Sequence, residues 1–476
     1  MSTDNHTSLL RQGSWLTGNS TIARKIGQPL RRFMEIQSAG GVVLLIATFI
    51  ALVWINSPLQ DTYIDLWATK VDIYVGNVEI FGDHSLTQFI NDILMVLFFF
   101  VVGLEIKREA TVGQLADARS LALPVIAALG GMVFPAVTYI FFNLGDGGEI
   151  TGWGIPMATD IAFALGVVSL LSDRVPRSLK IFLLTVAIAD DIGAILVIAI
   201  FYSDSLSLTW LLAAVLFLVI IRLMRAVKIW WFPIYILLGA VAWWATYKSG
   251  VHATIAGVAL GLITPAKPLL SFKEAQKTAH WLEGKQKIFV VDIRWAHFNI
   301  AESVSVAERL EKLLHPFVTF GIVPLFALAN AGVVISNDSI SNALTSPISW
   351  GIIAGLLFGK TVGIWLFTWI AVHLKITSLP SGMKMSQVFG VSIIAAIGFT
   401  VALFITSLEF TDPDIVSDAK IGILAASAVA ATIGMYVLAK TCPRKFASTD
   451  DKPDTDSNSQ AVEAGNRASQ AIDSSS

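Results

Sequence analysis

The stretch "TVAIADDIGAILVIAIFY" (Thr185–Tyr202) is apolar nearly throughout, yet Asp190 and Asp191 stand side by side inside it. On insertion scales an aspartate at the centre of a bilayer costs roughly 2.5–3.5 kcal/mol. Whether this run crosses a membrane, and why it carries two carboxylates, depends on what surrounds it.

Of the 476 residues, 55% are hydrophobic and 14% are charged. An average soluble domain is about 25% charged, so the composition is that of an integral membrane protein. Apolar windows long enough to span recur along most of the chain, which favours helices over a barrel. They lie near residues 39–56, 87–104, 120–142, 152–171, 179–202, 208–222, 229–247, 251–264, 313–335, 350–373, 386–408 and 418–440, numbered here as spans 1 to 12. The expectation is an all-α protein of about twelve transmembrane helices, with span 8 short. A long polar stretch precedes span 1, so no cleavable signal peptide is expected. The lone Cys442 implies neither a disulfide framework nor a metal site.

Basic residues alternate between loops. Arg24, Lys25, Arg31 and Arg32 precede span 1. Lys107, Arg108 and Arg119 follow span 2, Arg174, Arg177 and Lys180 follow span 4, and Arg222, Arg225 and Lys228 follow span 6. About 29 of the 33 basic residues fall on one side, which by the positive-inside rule is the cytoplasm and holds both termini.

The expected organisation is a cytoplasmic N-terminal arm (1–35), a twelve-helix domain (36–445) and a disordered cytoplasmic tail (446–476). Within the domain, residues 57–86 form a periplasmic loop. There "VDIYVGNVEI" (Val71–Ile80) alternates around Gly76-Asn77 and predicts a β-hairpin, whose open edge suggests a homodimer. Residues 265–312 form a cytoplasmic insert that mixes basic and aromatic residues; a surface element lying on anionic lipid is the preferred reading. Nucleic-acid binding is not expected of a segment tethered between membrane helices.

The middle spans of two helix triplets resemble each other. Span 4, within spans 3–5, carries "IPMATDIAFALG", and span 11, within spans 10–12, carries "AAIGFTVALFI". Small residues and a Thr interrupt both near mid-membrane. In transporters built from inverted repeats such paired interruptions mark discontinuous helices and the binding site.

Charges deep in spans are few: Asp160, Asp190, Asp191 and Lys360, with Asp92, Glu105 and His252 nearer the edges. Facing lipid, the four central charges would cost on the order of 12 kcal/mol, so they must face one another or water. A buried ion network that only joins helices is the structural alternative. Such networks are poor stabilisers, so function is the stronger reading. Neighbours on a helix point about 100° apart, so one aspartate of the pair can face a partner helix and the other a cavity. Asp160 and Asp191 could then approach across spans 4 and 5, while Lys360 neutralises Asp190. Oxygen ligands suit hard cations, and the Thr159 hydroxyl and carbonyls freed at the helix break would complete a site.

"FFVVGLEIKRE", "ATDIAFALG", "AIADDIGAI", "GVHATIAGV", "LLFGKTVGI" and "IGFTVALFI" together resemble the hallmark stretches of NhaA-type bacterial sodium/proton antiporters. Six motifs in order, over roughly residues 30–440 without the insert, make the resemblance specific. The inverted-repeat architecture is a known property of that family. The resemblance implies an inner-membrane exchanger of cytoplasmic Na+ or Li+ for periplasmic H+, electrogenic and pH-regulated, with no cofactor beyond the transported ions. It implies a sodium site of Asp160, Asp190 and Asp191, with Asp191 the principal ligand. It pairs Lys360 with Asp190 and puts Thr159 where broken spans 4 and 11 (Gly398, Phe399, Thr400) cross. Positions matching the family's pH sensor are Glu105, Lys107, Arg108, Glu109, Arg309, Glu311 and His315, with His252 associated. Two departures are plain: Lys312 follows "RLE" where many members have histidine, and Glu308 replaces a common basic residue.

Rival classes leave weaker traces. A sodium-coupled symporter of an organic anion would want further basic or polar residues beside Lys360. An intramembrane aspartyl protease would want "GxGD" and aspartates on facing helices. No P-loop is present, and the chain does not read as an enzyme.

Overall fold

The computed structural model describes residues 39–442 except 114–117, 172–173, 204–205, 228–231, 286 and 381. The expected N-terminal arm (1–35) and tail (446–476) lie outside the described residues.

Each of the twelve apolar windows falls on helix. Among the described residues, eight segments are long and apolar enough to cross a membrane: Leu86–Val112 (span 2), Leu121–Phe142 (3), Ile150–Ser169 (4), Arg177–Phe201 (5), Leu208–Ala226 (6), Val306–Asn330 (9), Pro347–His373 (10) and Pro413–Thr441 (12). Spans 1 (Ala39–Ile55) and 7 (Phe232–Lys248) are 17-residue helices. Span 11 is the pair Met385–Ala395 and Phe399–Glu409, bent by 43° at its break. Among the described residues the fold is an all-α membrane bundle carrying one small β-hairpin.

Span 8 is only ten residues long, Thr254–Ile263. At 1.5 Å per residue it reaches about half of a hydrocarbon core. Close approach to span 2 holds it in place. A Cβ on Gly257 would sit 2.4 Å from Val96 O, and one on Gly261 would sit 2.7 Å from Gly103 C. Small residues four apart let two backbones touch where lipid provides no hydrophobic drive between helices.

Several boundaries move. Span 9 begins at Val306, not near 313, because Ser305 caps it: Glu308 N donates to Ser305 Oγ at 3.2 Å. The last residues assigned to the 265–312 insert are therefore its opening turns. The rest of the insert folds as two helices, Phe272–Glu283 and Val290–Ala301. After span 1 an unexpected short helix, Gln60–Ala68, turns off by 114°.

The hairpin forms as strands β1 (Lys70–Val75) and β2 (Val78–Ser85), closed by the pair Val75–Val78. Gly76, at φ +63°, takes the first position of the two-residue turn, where a II′ turn needs positive φ. Buried Phe81 packs on Phe89 of span 2 and Tyr247 of span 7, and His84 contacts the Tyr247 hydroxyl. The hairpin is thus seated on the bundle through β2.

Candidate functional site

Span 4 is not one helix. A 3-10 segment, Ile150–Met157, gives way to extended backbone at Ala158 and Asp160, and an α-helix resumes at Ile161–Ser169. Pro156 lacks the N–H that a continuous helix would use. Span 11 breaks likewise at residues 396–398. The two breaks cross in contact: Asp160 N donates to Ile397 O at 2.7 Å, and Thr159 Oγ1 to Ala395 O at 3.0 Å.

Four half-helix ends meet at this crossing, and each is matched by a side chain. Asp160 caps Ile161–Ser169 by accepting from Phe163 N at 2.9 Å. The same carboxylate accepts from Thr400 N (3.1 Å) and Thr400 Oγ1 (2.6 Å) in the first turn of Phe399–Glu409. One carboxylate thereby faces two helix N-termini, the ends that carry partial positive charge. The opposite ends face donors. Lys360 Nζ donates to Met157 O, at the end of the 3-10 segment, and Thr159 covers Ala395 O.

Asp190 and Asp191 diverge on span 5. Asp190 Oδ2 lies 2.5 Å from Lys360 Nζ and accepts from Thr159 Oγ1 at 2.8 Å. Lys360 closes a π-helical turn, Gly355–Lys360, in span 10. Such single wide turns inside α-helices are frequent at functional sites. Asp191 points elsewhere, into a small cavity lined by Phe98, Phe99 and Val102 of span 2, Ile195 and Ile198 of span 5, and Val401. Its Oδ1 makes no hydrogen bond. Beyond it, Phe99 and Ile198 border a narrow crevice against Thr254 and Val258 of span 8, too tight for a water molecule.

The crossing thus brings together Thr159, Asp160, Asp190, Lys360 and Thr400, with Asp191 beside it facing the cavity. It does not bring the three carboxylates to one point. Among the described residues no three acidic, imidazole or thiol groups converge closely enough to hold an ion together.

The sensor positions divide into three groups. At the far end of span 2, Arg108 pairs with Glu109 (3.1 Å) and approaches Glu311 of span 9 (3.3 Å). Glu105 is one turn earlier on the same helix, and Lys107 offers its carbonyl to Thr111 Oγ1 at 2.6 Å. Arg309 instead binds Glu302 of the insert at 2.9 Å, Lys312 pairs with Glu308 at 2.6 Å, and His315 contacts Thr319 one turn on. His252 sits at the opposite end of the bundle, just before span 8 begins. Spans 2 and 8 run parallel, Gly257 against Val96 and Gly261 against Gly103, so His252 and Glu105 are at opposed ends of that pair.

Two polar features were absent from the sequence reading. Asn91 and Asn330 form a reciprocal amide pair between spans 2 and 9 (2.9 and 3.3 Å), with Ser407 of span 11 at 3.4 Å. Lys420 lies inside span 12, its Nζ 3.5 Å from Gly332 O. Lys420 opens the apolar run IGILAASAVAA but follows Asp414 and Asp418, which disguise it as part of a polar helix start; amides in a span carry a weak signal too.

These features define a polytopic membrane protein with two broken helices crossed around buried carboxylates and one buried lysine. The chain belongs to the Na+/H+ antiporter 1 family, whose model matches residues 31–438. It is 44% identical over 437 residues to the Na(+)/H(+) antiporter NhaA of Oleidesulfovibrio alaskensis, covering 88% of this chain and 95% of that protein. It is 43% identical over 408 residues to the Na(+)/H(+) antiporter NhaA of Escherichia coli O139:H28, covering 85% and 96%. Against the Na(+)/H(+) antiporter NhaA 2 of Myxococcus xanthus it is 42% identical over 429 residues, covering 87% and 90%.

Proposed function

We propose that this protein exchanges cytoplasmic sodium or lithium for protons across a bacterial inner membrane, with both termini cytoplasmic and no resident cofactor. The family and its named antiporters support the exchange. The observation that carries the site assignment is Asp191, a buried carboxylate with an unbonded oxygen facing a cavity beside the crossing.

Asp191 is the principal carboxylate for which sodium and protons compete. Asp160 is the second, held by bonds from Thr400 that can be exchanged for an ion. Asp190 holds Lys360 and orients Thr159. Only an occupied site crosses, because the bare charge of −2 in hydrocarbon is costly. Three carboxylates and one ammonium carry a formal charge of −2, which accepts two protons, or one sodium with residual negativity. Two protons inward for one sodium outward moves one positive charge inward per cycle, so exchange is electrogenic. We assign pH regulation to Glu105, Arg108, Glu109 and Glu311, where spans 2 and 9 meet.

Asp191→Asn tests the assignment. Everted vesicles carrying the variant lose sodium-dependent dequenching of a pH dye, while the purified variant melts near wild type. Wild-type dequenching by Asp191→Asn would overturn it.

A further inference from the structure

The two insert helices, Phe272–Glu283 and Val290–Ala301, pack on each other and form a structured α-hairpin. Trp281 and Trp295 meet edge to face at 4.8 Å, and Lys285 lies over the Trp281 ring and binds Asp292 at 2.7 Å. A capping box starts the first helix, with Ser271 N donating to Glu274 Oε2 at 2.7 Å. At the base, Leu269 N and Leu270 N both donate to Glu302 O at 3.0 Å.

This folded element leaves its apolar surface uncovered. Phe272, at the base, is 77% exposed and Val291, at the tip, 75%, and Phe289, Val290, Ile293 and Phe298 of the second half are exposed as well. Exposed apolar side chains at both the base (Phe272, Phe298) and the tip (Phe289–Val291) of an otherwise ordered element mark an interaction face. Charge and position indicate its occupant. Exposed charges on the insert are mostly basic: Lys267, Lys273, Lys277, Lys287 and Arg294, against Glu274 and Glu283. The two ends of the insert are tied where membrane helices end, Ala307 N donating to Pro265 O at 3.0 Å between spans 8 and 9. An apolar face rimmed by lysines and held at the edge of the bundle fits the boundary of a leaflet bearing anionic headgroups.

We propose that the α-hairpin 272–301 is a lipid-binding element that seats Phe289–Val291 among acyl chains and binds anionic phospholipid headgroups through Lys273, Lys277, Lys287 and Arg294. The partner is the bilayer around the protein rather than a second copy of the chain.

The test uses the full-length protein with Cys442→Ser and a fluorescent label at Phe289→Cys. It is placed at one copy per nanodisc in phosphatidylcholine, with or without phosphatidylglycerol. The expected result is quenching by a nitroxide borne on lipid chains and protection from aqueous iodide, with the ratio rising several-fold when phosphatidylglycerol is added. Lys273→Gln, Lys277→Gln, Lys287→Gln and Arg294→Gln together remove that rise while sodium/proton exchange is retained. Phe272→Glu with Val291→Glu exposes the label to iodide whatever the lipid, which tests the apolar half separately. Iodide access in both lipids for the unaltered hairpin overturns the proposal. Protection that appears only with two copies per disc also overturns it and makes the face a contact between copies.

Discussion

Lys360 Nζ lies 2.5 Å from Asp190 Oδ2 with both side chains fully buried. Asp190 Oδ1 makes no hydrogen bond, so the lysine and Thr159 supply its described polar contacts. Removing one member of such a pair strands the other in a medium that solvates charge poorly. Lys360→Ala is therefore expected to destabilise the protein by about 3–5 kcal/mol. Asp190→Asn in the same chain should recover part of that loss. Melting in detergent checks both, and an unchanged midpoint for Lys360→Ala would rule the pair out as a buried contact.

Asp160 and Thr400 are joined by two bonds across the helix crossing. Thr400→Val keeps the backbone N–H but removes the hydroxyl, at an expected cost of about 1–3 kcal/mol. Thr400→Ser retains the hydroxyl and should melt near wild type. Equal midpoints for Val and Ser would mean that the hydroxyl bond contributes nothing.

Gly261 abuts the backbone of span 2, and a Cβ there would lie 2.7 Å from Phe100 O and Leu104 N. Backbone cannot swing aside as a side chain can, so Gly261→Ala should destabilise by about 1–3 kcal/mol through overpacking. Gly321→Ala is the control, since its Cβ would meet nothing within 4 Å. Comparable melts for the two variants would refute the close packing of spans 2 and 8.

Deleting Val71–Ile80 removes the turn, all of β1 but Lys70, and the first three residues of β2, but leaves Phe81 and His84, which contact the bundle at Tyr247. A homodimer paired through the hairpin edge should then dissociate at lower dilution while exchange continues. Light scattering in detergent reads the size. An unchanged dimer would place the interface elsewhere.

Charge movement is testable without mutation. If two protons enter for each sodium that leaves, an interior-negative potential favours export by about 2.3 kcal/mol per 100 mV for the one net charge. Proteoliposomes with an imposed potassium diffusion potential measure this. Exchange indifferent to the potential would indicate one-for-one stoichiometry.

By itself the sequence determined that the chain is a multi-span membrane protein, that spans 4 and 11 are interrupted, and that Asp160, Asp190, Asp191 and Lys360 are its exceptional residues. These are local properties. An apolar run of spanning length needs no partner to be recognised, and a charge inside one stands out because hydrocarbon penalises it. The divergence of Asp190 from Asp191 was legible too, from helix geometry alone. Which groups each of these residues meets depends on how distant spans pack. Asp160 bonds to Thr400, 240 residues away, and Lys360 meets a backbone carbonyl of Met157, 203 residues away. A carbonyl has no signature in a sequence, and its availability depends on where a helix breaks. The parting of His252 from Glu105 and Arg108, and the failure of the three carboxylates to converge, follow from how spans 2, 8, 5 and 11 cross. Those crossings are set by many weak contacts, such as Gly257 and Gly261 against span 2, acting together across the bundle.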